Sequence, residues 1–254
     1  MSDAKGSDTQ GRGESSGEPY GKARYVRSLF DSIAFRYDLI NQVITLGQIG
    51  LWRRRVARKV ATDKPKLVLD MGTGTADLAI AIARRTDQES YALGFDLSPE
   101  MLRRAQAKVK RHGLQGRISF VLADATALPL KDGTADCLVN AFFLRHLPDL
   151  PEAFVEFRRV LRGEGRIAFL ELTQPTLPVF RHTVGLWFKR IVPLLGGWLS
   201  GNRQAYEYLP NSLRPFPDHH ELTRMLQDSG FTSLECQLMG LSAVALHSGA
   251  GQEK

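Results

Sequence analysis

A doubly wound α/β fold on a mostly parallel sheet of seven strands is predicted by three features of this sequence. Apolar runs at Leu67-Val68-Leu69, Tyr91-Ala92-Leu93-Gly94-Phe95 and Ile118-Ser119-Phe120-Val121-Leu122-Ala123 each end on a carboxylate, at Asp70, Asp96 and Asp124. The first run breaks into a turn holding Gly72, Gly74 and Thr75. After that turn, Leu78, Ala79, Ile82 and Ala83 recur at helical spacing. Continuous apolar runs suit strands buried on both faces, and strands alternating with helices close into a parallel, Rossmann-like sheet.

The elements follow in order. Residues 1–20 are Gly, Ser, Asp and Glu with almost no apolar side chain, a disordered tail without the apolar core of a signal peptide. Residues 21–64 are expected to form a helical cap. In it, Val26 to Asn41 carries aromatic and polar groups suited to closing a pocket mouth, with Phe30, Ile33 and Leu39 read as buttresses. Leu51 to Val60 is a basic amphipathic helix, equally a solvated face or a contact for anionic lipid headgroups. Residues 65–254 are the ligand-binding domain. Ser98-Pro99-Glu100 reads as N-cap, first helical proline and first-turn acid. Ala135 to Phe142 is a fourth strand, Leu150 to Leu161 a helix, Arg162 to Gly165 a turn and Arg166 to Leu172 a fifth strand. Residues from about 173 to 217, rich in Pro, Gly and bulky apolar side chains, form a helical lid. His219 to Ser229 is a helix, and Phe231 to Leu238 with Leu241 to His247 make a C-terminal antiparallel hairpin.

Composition sets limits. The 254 residues, 43% of them apolar, suffice for one large core. The formal charge of +7 permits an anionic surface as neighbour, but no separate basic module is present and no nucleic acid is expected. Cys137 and Cys236 are the only cysteines, too few for a metal cluster, and read as small apolar fillers in a reducing, cytoplasmic setting. No run reaches the roughly 18 apolar residues of a membrane span. Val184 to Leu199 is interrupted by Lys189-Arg190, Pro193 and Gly196-Gly197. The chain is expected to be soluble, at most peripheral at an inner membrane face, and a homodimer is left open.

Charge selects the ligand. Pyrophosphate loops aim a helix N-terminus at an anion, whereas here Asp70 and Asp77 flank the glycines and would repel one. The cationic sulfonium and amino groups of S-adenosylmethionine fit the sign. Asp96 is placed like the acid that grips a ribose diol, and Asp124 is suited to an adenine amino group. A single strand-end Asp is more often a turn former, but three in register mark a binding edge.

Further stretches resemble a known family. They are Phe30-Asp31-Ser32-Ile33-Ala34, Arg36-Tyr37-Asp38 with Asn41, Trp52-Arg53-Arg54, Asp124-Ala125, Leu144-Arg145, Glu171-Leu172-Thr173 and Tyr206-Glu207-Tyr208-Leu209-Pro210. Together they are similar to the ubiquinone/menaquinone biosynthesis C-methyltransferases, in unbroken order from Phe30 to Gly249. The resemblance implies adenosylmethionine-dependent methylation of a ring carbon of a polyprenylated quinol, most directly demethylmenaquinone. It implies cofactor contacts at Thr75, Asp96, Asp124, Ala125 and Ala141, beside Asp70, Gly72 and Gly74 from the turn itself. Methylation of another aromatic acceptor, and a catalytically silent partner in a quinone-synthesising complex, stay open.

Such chemistry needs a stabilised aryloxide, because a ring carbon becomes nucleophilic only once a neighbouring hydroxyl is deprotonated. Arg145 is the candidate cation, with His146, Tyr37 and Asp38 as candidate proton acceptors. Tyr206 and Tyr208 are candidate substrate contacts. Three residues depart from the family pattern. Ala76 replaces a third Gly and is expected to weaken cofactor binding by crowding it. His146 replaces an Asn, and Phe143 replaces a Gly and narrows the pocket.

Overall fold

The computed structural model describes residues 19–175, 178–192, 194, 212 and 216–252. Most of the expected tail, much of the lid, and Tyr206 and Tyr208 lie outside the described residues. Helices α1 (Pro19–Ile33), α2 (Tyr37–Ile44) and α3 (Ile49–Thr62) precede the sheet. Strands β1 (Leu67–Met71), β2 (Tyr91–Asp96), β3 (Ile118–Leu122) and β4 (Ala135–Ala141) alternate with α4 (Asp77–Ala83) and α5 (Pro99–Arg111). A single 3-10 turn (Leu144–His146) then leads to α6 (Leu150–Val160), β5 (Leu161–Leu172) and α7 (Pro178–Leu186), which continues as a π-helical turn (Trp187–Ile191). Helix α8 (His219–Asp228) and strands β6 (Phe231–Met239) and β7 (Val244–Gly251) complete the described fold.

The strand order is β3-β2-β1-β4-β5-β7-β6, with β1 to β5 parallel and β7 antiparallel to both its neighbours. Order reverses between β1 and β4, and open sheets bind ligands at that switch point, outside the carboxyl ends of the strands. Helices α3, α4 and α5 cover one face. Trp52, Val56 and Val60 of α3 pack there on Val68, Val139 and Leu170, while Ala79 and Ala83 of α4 meet Ala105 and Val109 of α5. Helices α6 and α8 cover the other face, where Phe154, Phe157, Phe169 and Phe231 form one aromatic cluster. Helix α5 begins as its sequence implies: Ser98 accepts from the Met101 N–H at 3.0 Å, with Pro99 in the first turn.

Three expectations change. Arg162 to Gly165 is not a turn between elements: β5 begins at Leu161, and these four residues bulge out between the pairings Ala135–Leu161 and Cys137–Arg166. The last strand starts at Val244, after a turn through Gly240, and runs on to Gly251. Cys137 is the buried filler expected, but Cys236 is exposed on the edge strand β6.

Candidate active site

The site begins at the turn after β1. Gly72 and Gly74 have φ of +64° and +54°, a region open to glycine at no steric cost. At Gly72 a side chain is doubly forbidden, since a Cβ would fall 2.1 Å from Cδ2 of Phe143. The Gly74 N–H donates to Asp96 Oδ2 at 2.9 Å and the Thr73 N–H to the Phe95 carbonyl at 2.9 Å, so the turn is tied to the end of β2. Ala76, the N-cap of α4, also sits in the left-handed region, at φ +69°. Its methyl is wholly buried among Ala79, Ile80 and Ala92 and does not line the cleft. The cost of this alanine is backbone strain.

Beside the turn lies a narrow cleft with a cavity volume of about 80 Å³. Its floor is formed by Gly72, Gly74, Asp96, Asp124, Ala125 and Ala141, all foreseen from sequence. The cap contributes Phe30 and Tyr37, and the segment after β4 contributes Phe142, Phe143 and His146. Asp96 spans the site: Oδ2 takes the Gly74 N–H and Oδ1 the Ser98 N–H, also at 2.9 Å. Burial raises its pKa above the usual carboxylate value, opposed by those N–H donors. Asp124 is oriented by the Thr126 N–H and hydroxyl, each 2.9 Å from Oδ1. The His146 ring stands edge-on to Phe30, with centroids 5.1 Å apart.

Tyr37, a candidate proton acceptor, lines the cleft. Burial pushes its phenol above the ordinary value, although Arg53 opposes the shift, and so holds the group neutral as a hydrogen-bond donor. Phe30 packs on the cap cluster as expected and also meets both Tyr37 and His146 edge-to-face where it lines the cleft. Ile33 is buried as expected, while Leu39 is 55% exposed and buttresses nothing.

Four candidates lie away from the cleft. Asp70 is 1% exposed on the α3/α4 side of the sheet, accepting from the Thr73 hydroxyl at 2.8 Å, and burial pushes its pKa up to about 7. It shapes the turn rather than meeting a ligand. The Thr75 hydroxyl donates to Asp38 Oδ1 at 2.6 Å and accepts from Lys108 at 3.0 Å. Asp38 is ion-paired with Lys108, so it is a clasp and not a free proton acceptor. Arg145 is buried and pairs with Glu171, Nη1 to Oε2 at 3.2 Å, while Glu171 Oε1 accepts from the Leu144 N–H at 2.5 Å. Burial raises the Glu171 pKa, and Arg145 opposes that rise. Arg145 lines a second cavity, between α6 and α8, which shares Leu147 and Pro148 with the cleft.

Sequence reasoning missed Arg27 and Met101, which also line the cleft. Nothing local marks Arg27, whereas Met101 sits in the first turn of the helix that Ser98 caps. Phe142, expected as the last residue of the fourth strand, lies just past β4 with φ +63°, a strained value for a bulky residue where the strand delivers the chain to the site.

These features fit S-adenosylmethionine. Gly74 leaves room for close backbone approach, and Asp96 and Asp124 offer acceptors at successive strand ends. Aromatic faces at Phe30, Phe142 and Phe143 suit a cation stripped of water.

The chain matches the family described as ubiE/COQ5 methyltransferase over residues 19–251. It is 38% identical over 221 residues to the demethylmenaquinone methyltransferase of Thermus thermophilus, covering 87% of this chain and 99% of that one. To the ubiquinone/menaquinone biosynthesis C-methyltransferase UbiE of a Geobacter species it is 37% identical over 210 residues, covering 83% and 89%. The fold is similar to that of a SAM-dependent methyltransferase structure from Aquifex aeolicus, with a TM-score of 0.60 at 16% identity, covering 84% of this chain and 97% of that one.

Proposed function

The chain belongs to the ubiE/COQ5 methyltransferase family, and from that premise we propose that it C-methylates the ring of a polyprenylated quinol, converting demethylmenaquinone to menaquinone. One observation carries the reading. In a chain so closely related to such enzymes, the switch point of the sheet opens into a cleft floored by strand-end carboxylates and walled by aromatic rings. S-adenosylmethionine, when bound, supplies an electrophilic methyl on its sulfonium.

The chain's own residues supply the rest. Asp96 and Asp124, each pre-oriented by N–H donors, hold the donor in one pose, and positioning of this kind removes much of the barrier to transfer. The acceptor ring lies where the cleft meets the second cavity, below His146 and beside Arg145. Arg145 stabilises the aryloxide: Glu171 fixes its guanidinium through Nη1, and its buried Nε–H has no partner among the described residues. His146 accepts the hydroxyl proton, and neutral Tyr37 donates to an acceptor oxygen. Once the methyl is on carbon, loss of the ring proton to a base restores aromaticity.

No helix among the described residues is long and apolar enough to cross a membrane; in this reading the protein is peripheral and takes its long-tailed quinol from the membrane surface. The test is purified protein with S-adenosylmethionine and reduced demethylmenaquinone, followed by mass analysis for a gain of one methyl. A second reading, a different aromatic acceptor, draws on Phe143, whose ring covers Gly72 and narrows the cleft. A panel of acceptors separates the two.

A further inference from the structure

The basic helix Leu51 to Val60 reads from sequence equally as a solvated face or a lipid contact, and the structure commits most of its side chains elsewhere. Arg53 is bonded to Asp77, Arg55 to Gln237 and Lys59 to Glu235, while Trp52, Val56 and Val60 are packed on the sheet. A different surface has the right chemistry. The α7 segment has two apolar faces. One packs Trp187 and Val192 against Leu29, Ile33, Ile40 and Ile44 of the cap, fastened where the Trp187 indole N–H donates to the Ile44 carbonyl at 3.0 Å. The other leaves Val179, Leu186, Ile191 and Leu194 in solvent.

Next to the Ile44–Trp187 bond, Leu46 in the following turn is 71% exposed, and Leu39 and Leu51 on either side are exposed as well. Apolar side chains gathered in this way on a single chain mark a contact surface. Charge says what the surface contacts. Residues 39–62 and 173–206 contain no Asp or Glu, and Arg54, Arg58 and Arg190 stand exposed among them. The neighbouring carboxylates are already paired, Asp38 with Lys108, Asp77 with Arg53 and Lys108, and Glu235 with Lys59. A second copy of the same face would bring cations against cations. An anionic bilayer would bring phosphates to the cations and acyl chains to the leucines. Position agrees, because Phe30 and Tyr37 pack on this cap cluster and also line the cleft.

We propose that the outer face of the α7 segment, with Leu39, Leu46 and Leu51, is the docking surface for an anionic bilayer, seating the cleft mouth over the leaflet that holds the acceptor. This rests on the quinol reading above. The test compares the full chain with a Leu46→Glu/Leu186→Glu variant in vesicle co-sedimentation, using phosphatidylcholine alone and phosphatidylcholine with phosphatidylglycerol. Wild type should partition onto the anionic vesicles, and the variant about tenfold less. Arg190→Glu should weaken binding by a smaller factor. Both variants should methylate a tail-less demethylnaphthoquinol in solution like wild type, but fall behind on a long-tailed quinol held in vesicles. Equal vesicle binding by wild type and variant overturns the proposal. So does a wild-type dimer that the leucine changes split while vesicles stay unbound. If the variant loses vesicle binding and wild type methylates no quinol, the docking surface stands and the substrate assignment falls.

Discussion

Lys108 Nζ stands 2.7 Å from Asp77 Oδ1, and the same ammonium ion reaches Asp38 of the cap and the Thr75 hydroxyl. Arg53 completes the cluster on Asp77 Oδ2 at 2.5 Å. One ammonium ion thus fastens α2 to the glycine turn. Lys108→Met keeps the stem and removes the charge. Charged hydrogen bonds of this kind contribute about 2 kcal/mol, so its melting temperature should fall by roughly 5 °C. Calorimetric affinity for S-adenosylmethionine should weaken about tenfold as the cap loosens. Unchanged affinity would show that the cap is held by its apolar contacts alone.

Arg145 and Glu171 form a buried pair, so their substitutions must be read together. Arg145→Ala should lower kcat on a quinol by about 10²- to 10³-fold, the usual cost of removing one donor to a developing oxyanion. S-adenosylmethionine affinity should stay within about twofold of wild type. The change also strands a buried carboxylate, which destabilises the fold. Arg145→Met with Glu171→Gln removes both charges and restores stability. If that double variant also restores turnover, Arg145 has no part in the chemistry.

Much of this was legible in the chain because buried parallel strands write themselves as apolar runs ending on a polar residue. The runs before Asp70, Asp96 and Asp124 therefore placed β1, β2 and β3 correctly. What was not legible was the direction each side chain takes. Asp70 and Asp96 both end strands, yet Asp70 turns beneath α4 while Asp96 faces the cleft. Asp38 fell in a motif suggestive of catalysis, but its partner Lys108 lies 70 residues away and no local pattern announces it. Ala76 is similar, since its left-handed backbone is invisible until the turn is built. Because its methyl faces the core, Ala76→Gly should leave S-adenosylmethionine affinity unchanged within about twofold, and a tenfold gain in titration calorimetry would return that methyl to the cofactor's path.

Asp70 gives the fold a pH dependence with a definite sign. Burial holds its folded pKa at about 7, whereas an unfolded aspartate titrates near 4. The folded chain therefore keeps a proton that the unfolded chain has lost between about pH 4 and 7. The stability tied to that proton is present in full below about 4 and is lost as pH rises through 7. Asp70→Asn cannot ionise. In melts of the ligand-free protein at about pH 5.5 and 8.5, wild type should lose more stability than the variant on going to the higher pH. Parallel slopes would mean that Asp70 is ionised throughout.

Phe143 and Gly72 occupy one space between them, which makes the strongest prediction about the cleft wall. A Cβ at Gly72 would meet Cδ2 of Phe143 at 2.1 Å and Cγ at 2.5 Å, on a backbone at φ +64°. Gly72→Ala therefore combines overpacking with left-handed strain and should cost about 3 kcal/mol. Phe143→Ala removes the ring but keeps its Cβ, 2.9 Å from the added methyl, so the double variant should recover most of the overpacking share and keep a deficit of more than about 1 kcal/mol from strain and that residual contact. A double-mutant cycle from urea denaturation should give a coupling of at least about 1 kcal/mol. Phe143→Ala alone should also widen the cleft and raise turnover on bulkier ring acceptors relative to demethylmenaquinone. Additive costs would mean that the ring swings aside at little expense, and the acceptor preference would then have to be set elsewhere than at this wall.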